Sequence, residues 1–159
     1  MIVIEQFLAC IKSHGWSAET RPTPPLPQRI TDRYRNLPKL WLQFVGTVSE
    51  LFSGDETTWF LCAGDYDTRL DHAWRWDERE QLSLQSAEGD EIWTAEIKAF
   101  WDDHLPIVMS VRGSYAYYAI SMTDGSVVYG SEPEFEACQT AAGSFQDFLN
   151  KIKAGEIAL

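Results

Sequence analysis

Nothing in this 159-residue chain approaches the roughly 20 consecutive apolar residues that a membrane-spanning helix requires. The opening stretch MIVIEQFLAC carries Glu5 where a secretion signal would carry basic residues, so a soluble, cytosolic chain is expected. Cysteine is sparse. Cys10, Cys62 and Cys138 are widely spaced and form no CxxC pair, which argues against a disulfide framework or a zinc site and for reduced thiols in apolar settings. Also missing are a glycine-rich phosphate loop, HExxH and GxSxG, so no familiar catalytic motif is present.

Positive charge is scarce after the first third. Residues 1–45 hold six Lys or Arg against Glu5, Glu19 and Asp32, whereas residues 46–159 hold seven against twenty-one acids. With a net charge of −11, the chain repels phosphate backbones and anionic membranes. Neither nucleic acid nor membrane is expected as a partner. A basic protein would be steered in, although such a surface also serves solubility alone.

What is present is apolar and aromatic, at 45% and 13% of the chain, enough for one domain over 1–159 with a sizeable core. An N-terminal helix and a proline-rich connector occupy 1–28. Ile4, Phe7, Leu8 and Ile11 have helical spacing up to His14-Gly15, and TRPTPPLPQ then forces an extended arm. A second helix is expected from Gln28 to Asn36. A third runs from Lys39 to Phe52 on Leu40, Trp41, Phe44, Val45, Val48 and Leu51. TTWFLCA reads as a buried strand. Trp74 and Trp76 sit in a loop leading to a short strand, with a turn of helix near 80–87. Asp90 caps a helix whose stripe is Trp93, Ile97, Phe100, Trp101 and His104, closed by Pro106.

Strands follow at 107–111, 115–122 and 127–129, turned by Gly113-Ser114 and by Thr123-Asp124-Gly125, where Asp-Gly tolerates positive φ. A further short strand is expected at 134–136. Ser144 and Asp147 form a variant capping box for a last helix burying Phe145, Phe148, Leu149 and Ile152, with Gly155 as its stop.

The chemistry-bearing candidates are few. Asp65, Asp67, Asp71 and His72 crowd one loop, but Arg69 and Leu70 stand where a calcium loop needs Asp, Asn or Gly, so no metal is expected. Asp90 with Glu96 and Lys98 superficially matches a nuclease set, yet the spacing puts these residues on different faces of a helix. His14 and His104 lie at helix ends, where capping explains them. No catalytic residue and no cofactor is assigned. Trp59, Trp93 and Trp101 read as core. Trp74 and Trp76, among Asp71, Arg75, Asp77 and Glu78, are candidate partner-binding aromatics. Glu132, Glu134 and Glu136 alternate in EPEFE, and on a strand they would share one face with Phe135 opposite. They are partner-binding candidates, with charge protection of an edge strand as the equal alternative.

The order of these motifs resembles the SUKH superfamily, the Smi/Knr-type cell-wall assembly regulator domain. The resemblance rests on LPKLWLQF at 37–44, Leu105-Pro106-Ile107, SYAYYAI, the Asp-Gly hairpin, VVYGSEPEFE and the closing SFQDFLNKI. The Asn-Gly that many members carry after the second helix is not evident. The resemblance implies an α+β domain with a single twisted, mainly antiparallel sheet packed against helices. It also implies a noncatalytic protein-binding role: a bacterial immunity protein that neutralises a toxin by occlusion, or a regulatory or scaffold domain of the Smi/Knr type. The partner it implies for an acidic member is a basic toxin domain.

Overall fold

A computed structural model describes residues 2–70 and 72–159. Six α-helices are joined to seven strands: α1 Ile2–Ser13, β1 Ser17–Thr20, α2 Gln28–Arg33, α3 Lys39–Thr47, β2 Val48–Phe52 and β3 Thr58–Phe60. A 3-10 turn at Ala63–Tyr66 precedes α4 Glu78–Ser86 and α5 Glu91–Asp103. β4 His104–Ser110, β5 Ala116–Ser121, β6 Val127–Ser131, β7 Gln139–Ala142 and α6 Phe145–Lys153 complete the chain.

The strands form one antiparallel sheet in sequence order, β1 to β7, each paired with the next. The fold is therefore α+β, one antiparallel sheet with helices packed on it. Register separates the two faces, because alternate residues of a strand point to opposite sides. Phe60, Val108, Tyr118 and Tyr129 are cross-strand partners on one face. There Phe60 meets Phe7 of α1 and Phe44 of α3, both at 5.6 Å between ring centroids, and Tyr118 meets Phe148 of α6 at 4.9 Å. Trp59, Met109, Tyr117 and Gly130 form the matching row on the other face. Trp101 of α5 packs on Tyr117 there at 4.9 Å. Gly130 is required by this approach, since a Cβ on it would lie 2.5 Å from the Tyr117 hydroxyl oxygen.

Helix ends follow the expected chemistry. The Asp90 carboxylate accepts from the Trp93 amide at 3.0 Å, and Ser144 Oγ accepts from the Asp147 amide at 3.0 Å while Asp147 accepts from Gly143 at 3.0 Å. The Asp-Gly hairpin turns with Gly125 at φ 76°, and Gly155 stops α6 at φ 77°.

Five expectations are corrected. The helix expected over 39–52 ends at Thr47, and Val48–Phe52 becomes a strand paired on both sides. Its apolar residues suit either period, and pairing with β1 and β3 decides. The strand expected at 134–136 does not form; that stretch is a chain of turns, and β7 begins at Gln139. Pro133 offers no amide to a ladder, and Phe135 is pulled inward as a buried anchor. No strand forms around Trp74 and Trp76, which lead directly into α4. Trp93, expected in the core stripe, is 43% exposed while Ile97 and Trp101 are buried. Pro106 falls inside β4, at an irregularity in its register with β5, where a missing amide is tolerated.

Candidate functional site

The five predicted binding residues do not form one surface. Trp76 is only 7% exposed and packs among Tyr66 at 5.7 Å, Tyr34 at 6.3 Å and the Arg33 guanidinium at 5.9 Å. It is core, which corrects its assignment as an interface residue. Its neighbour Arg33 is held by both carboxylate oxygens of Glu80, at 3.1 and 2.9 Å, and by Asp102 at 2.9 Å. This cluster ties α2 to α4 and α5.

The three glutamates also separate. Glu136 accepts from the Ser83 hydroxyl at 2.7 Å and from the Trp101 indole N–H at 2.8 Å, so its carboxylate locks the 132–137 turns onto α4 and α5. Glu132 is exposed but accepts from the Tyr115 amide at 2.9 Å, beside the backbone bond from Glu132 to Tyr115 at 2.8 Å. Glu134 is exposed and makes no side-chain bond to the described residues. The expectation that all three share a strand face is therefore corrected: one is structural, one is half committed and one is free.

Trp74 is different. It is half-buried, meets Tyr115 edge-on at 5.2 Å and has the Arg79 guanidinium 5.8 Å from its ring centroid. Arg79, on α4, is completely buried and also faces Tyr115 at 5.0 Å and Phe135 at 5.8 Å. Its Nη2 donates to Ser110 O at 2.6 Å and Ala116 O at 3.1 Å, bridging the two strands at the loop end of the β4–β5 hairpin, while Nη1 has no partner among the described residues. Burial lowers the Arg79 pKa to about 10, partly offset by Glu78, Tyr115 and Glu132. The group stays cationic at neutral pH, held by π faces and carbonyls rather than by a carboxylate. Sequence gave no warning of this, because Arg79 sits in WDERE, which reads as a solvated charged run.

The outer side of Trp74 forms one wall of a groove of about 480 Å³. Its floor follows from the register: Phe52 pairs with Trp59, and Glu50, two residues from Phe52, points to the same face. That face is covered by α5 at the centre of the sheet. Over β2 and β3 the groove lies between Trp59 and Trp74, with Cys62, Asp65, His72 and Ala73 also in its lining. Both tryptophans are half-buried. Ser49, Glu50, Glu56, Asp65 and His72 supply the polar lining, and no lysine or arginine is among the lining residues.

The carboxylates of Glu50 and Glu56 are exposed and form neither a hydrogen bond nor an ion pair with the described residues. Glu56 also holds φ at 59°, a left-handed conformation that favours glycine. Asp65 accepts from the Cys62 amide at 2.7 Å. Burial raises its pKa, the Cys62 bond and His72 oppose that shift, and Glu50 adds to it. The groove is thus an aromatic-walled site of negative potential. Trp59 was read as core and Glu50, Glu56 and Asp65 were not singled out together, since they come from separate elements.

The other candidate clusters do not converge. Asp67 is occupied by Arg69 at 2.9 and 3.0 Å, and His72 Nε2 lies 3.2 Å from Asp67 O; Asp71 lies outside the described residues. Among the described residues, no three His, Cys, Asp or Glu side chains are placed to hold a metal ion. Asp90 is committed to its cap. Glu96 and Lys98 are exposed on α5, and residues two apart on a helix point away from one another. His14 and His104 turn Nδ1 to the carbonyls of Cys10 and Phe100, each at 2.8 Å, as helix-end groups do. No helix among the described residues is long and apolar enough to cross a membrane.

No known family model and no curated protein sequence matches this chain.

Proposed function

We propose that this chain is a noncatalytic protein-binding domain that docks a basic protein through its acidic, aromatic groove. The observation that carries the reading is the lining itself: Trp59 and Trp74 with Glu50, Glu56 and Asp65, and no basic residue, in a chain of net charge −11. Aromatics at the centre of an interface supply affinity, and complementary charge raises the association rate. The resemblance of the motif order to SUKH proteins supports an immunity-type role, in which the partner is a basic toxin domain and neutralisation is by occlusion. The exposed Glu132 and Glu134, outside the groove lining, add to the acidic surface that such a partner would meet.

The test is coexpression with the basic toxin candidate encoded beside the gene, together with a binding assay on the purified pair. Growth rescue is expected, with an association rate that falls as salt rises and falls again on charge reversal of Glu50 and Glu56. Absence of both rescue and binding overturns the immunity reading. A salt-dependent complex with a basic cellular protein that is not a toxin would move the role to regulation or scaffolding.

A further inference from the structure

We infer that the groove between Trp59 and Trp74 takes an arginine side chain of the protein partner. The inference rests on the docking reading above and specifies what the groove recognises.

Two properties of the site select this chemistry. Its walls are two half-buried indoles, which attract a cation to their faces and are best matched by a flat one. Its carboxylates are dispersed: Glu50 rises from the sheet floor on β2, Glu56 stands in the turn before β3, and Asp65 comes from the 3-10 turn. A guanidinium has five donors in a plane and can divide them among separated acceptors, whereas an ammonium is a compact, strongly hydrated point charge. The same dispersal argues against a metal ion, which needs ligands converging on one point, and among the described residues none converge.

The protein already uses this chemistry within its own fold. Arg33 lies 5.9 Å from the Trp76 centroid and 5.3 Å from that of Tyr34, while Glu80 and Asp102 take its donors at 2.9 to 3.1 Å. The groove repeats that combination of indole and separated carboxylates on an accessible face. Glu50 and Glu56 pair with no cation among the described residues, so their charge is open to whatever enters the groove. Trp74 is held from behind by Arg79 and Tyr115, which makes it a fixed wall that need not be ordered on binding.

The experiment titrates the full chain with the capped peptide acetyl-Gly-Arg-Gly-amide and follows the tryptophan indole N–H signals by NMR, assigned with Trp59→Phe and Trp74→Phe. The lysine peptide and the citrulline peptide, a neutral isostere of arginine, are titrated in parallel. Saturable shifts at the Trp59 and Trp74 indoles are expected in the millimolar range, with citrulline about tenfold weaker because the charge-assisted bonds are lost. Lysine should bind severalfold more weakly. The double variant Glu50→Gln, Glu56→Gln should weaken the arginine peptide while leaving the unliganded indole spectrum in place. Citrulline or lysine binding as tightly as arginine, shifts confined to other tryptophans, or no saturable shift at all would each overturn the inference.

The two readings fail separately. A basic partner bound equally by the chain and by the double variant removes the groove but leaves docking intact. Arginine-peptide binding by a chain that takes no basic partner does the reverse.

Discussion

The 132–136 segment and the groove over β2 and β3 are both acidic, but their carboxylates are used in opposite ways. In the first, Glu136 is bound to Ser83 and Trp101 and Glu132 to the Tyr115 amide, so the charges fasten a run of turns to α4, α5 and the β4–β5 hairpin. In the second, Glu50 and Glu56 touch no donor among the described residues, and Asp65 has the Cys62 amide. Negative charge that completes the fold cannot also meet a partner at full strength. Charge assembled from separate elements, with Glu50 and Glu56 left without donors among the described residues, is what a surface can offer to a partner.

The largest expected effect is at the residue that joins these regions. Arg79→Ala should cost about 3 kcal/mol, because it opens a cavity and removes the guanidinium donors from the Ser110 and Ala116 carbonyls. Urea unfolding measures this, and an unchanged midpoint would break the link drawn between the hairpin and Trp74. The conservative Arg79→Lys should recover only part of it, since one ammonium cannot reproduce the planar donor set.

Glu136→Ala should cost about 2 kcal/mol by stripping the Trp101 indole of its acceptor, whereas Glu50→Ala should change stability by no more than about 0.5 kcal/mol. Equal losses at the two positions would erase the contrast. Glu56→Gly should stabilise the chain by about 1 kcal/mol through relief of its left-handed backbone, while slowing association with a basic partner. A gain in stability without a loss in association would show that Glu56 has no part in docking.

The smallest expected effect concerns pH. The Asp65 carboxyl is raised above its ordinary value by burial, with Glu50 adding to the shift and the Cys62 amide and His72 opposing it. The unfolded chain ionises this group near about 3.9, so its stabilising contribution is present below that pH and is lost as pH rises through the raised folded value. Asp65→Asn, which keeps an acceptor for the Cys62 amide, should therefore gain stability relative to the parent as pH rises over that interval. Thermal unfolding from pH 4 to 7 checks this, and a difference that shrinks with rising pH would contradict the burial account.

Legibility followed the range of the interactions. The helix of 2–13, the Asp90 and Ser144 caps, the Asp-Gly turn and the buried row Phe145, Phe148 and Leu149 were readable because each depends on neighbours within a few residues. β1 was not, since SAET is an exposed edge strand with no alternation to detect. EPEFE alternated convincingly, yet its period came from one buried anchor, Phe135, flanked by carboxylates with different duties. Of the predicted binding residues, Trp74 lies on the groove and Trp76, two positions on, is sealed in the core. Their local surroundings in sequence are nearly alike.

By itself, then, the sequence determined that helices and strands are both present, most helix limits and the acidic balance of the chain, because composition, period and caps act locally. Only the tertiary structure decided which acids are spent on the fold and which stand free. That choice depends on register: Phe52 opposite Trp59 brings Glu50 to the same face, and the crossing of the 3-10 turn brings Asp65 and Trp74 over it. No local pattern encodes the meeting of residues 50, 59, 65 and 74, since their proximity is produced by strand pairing and chain return rather than by spacing.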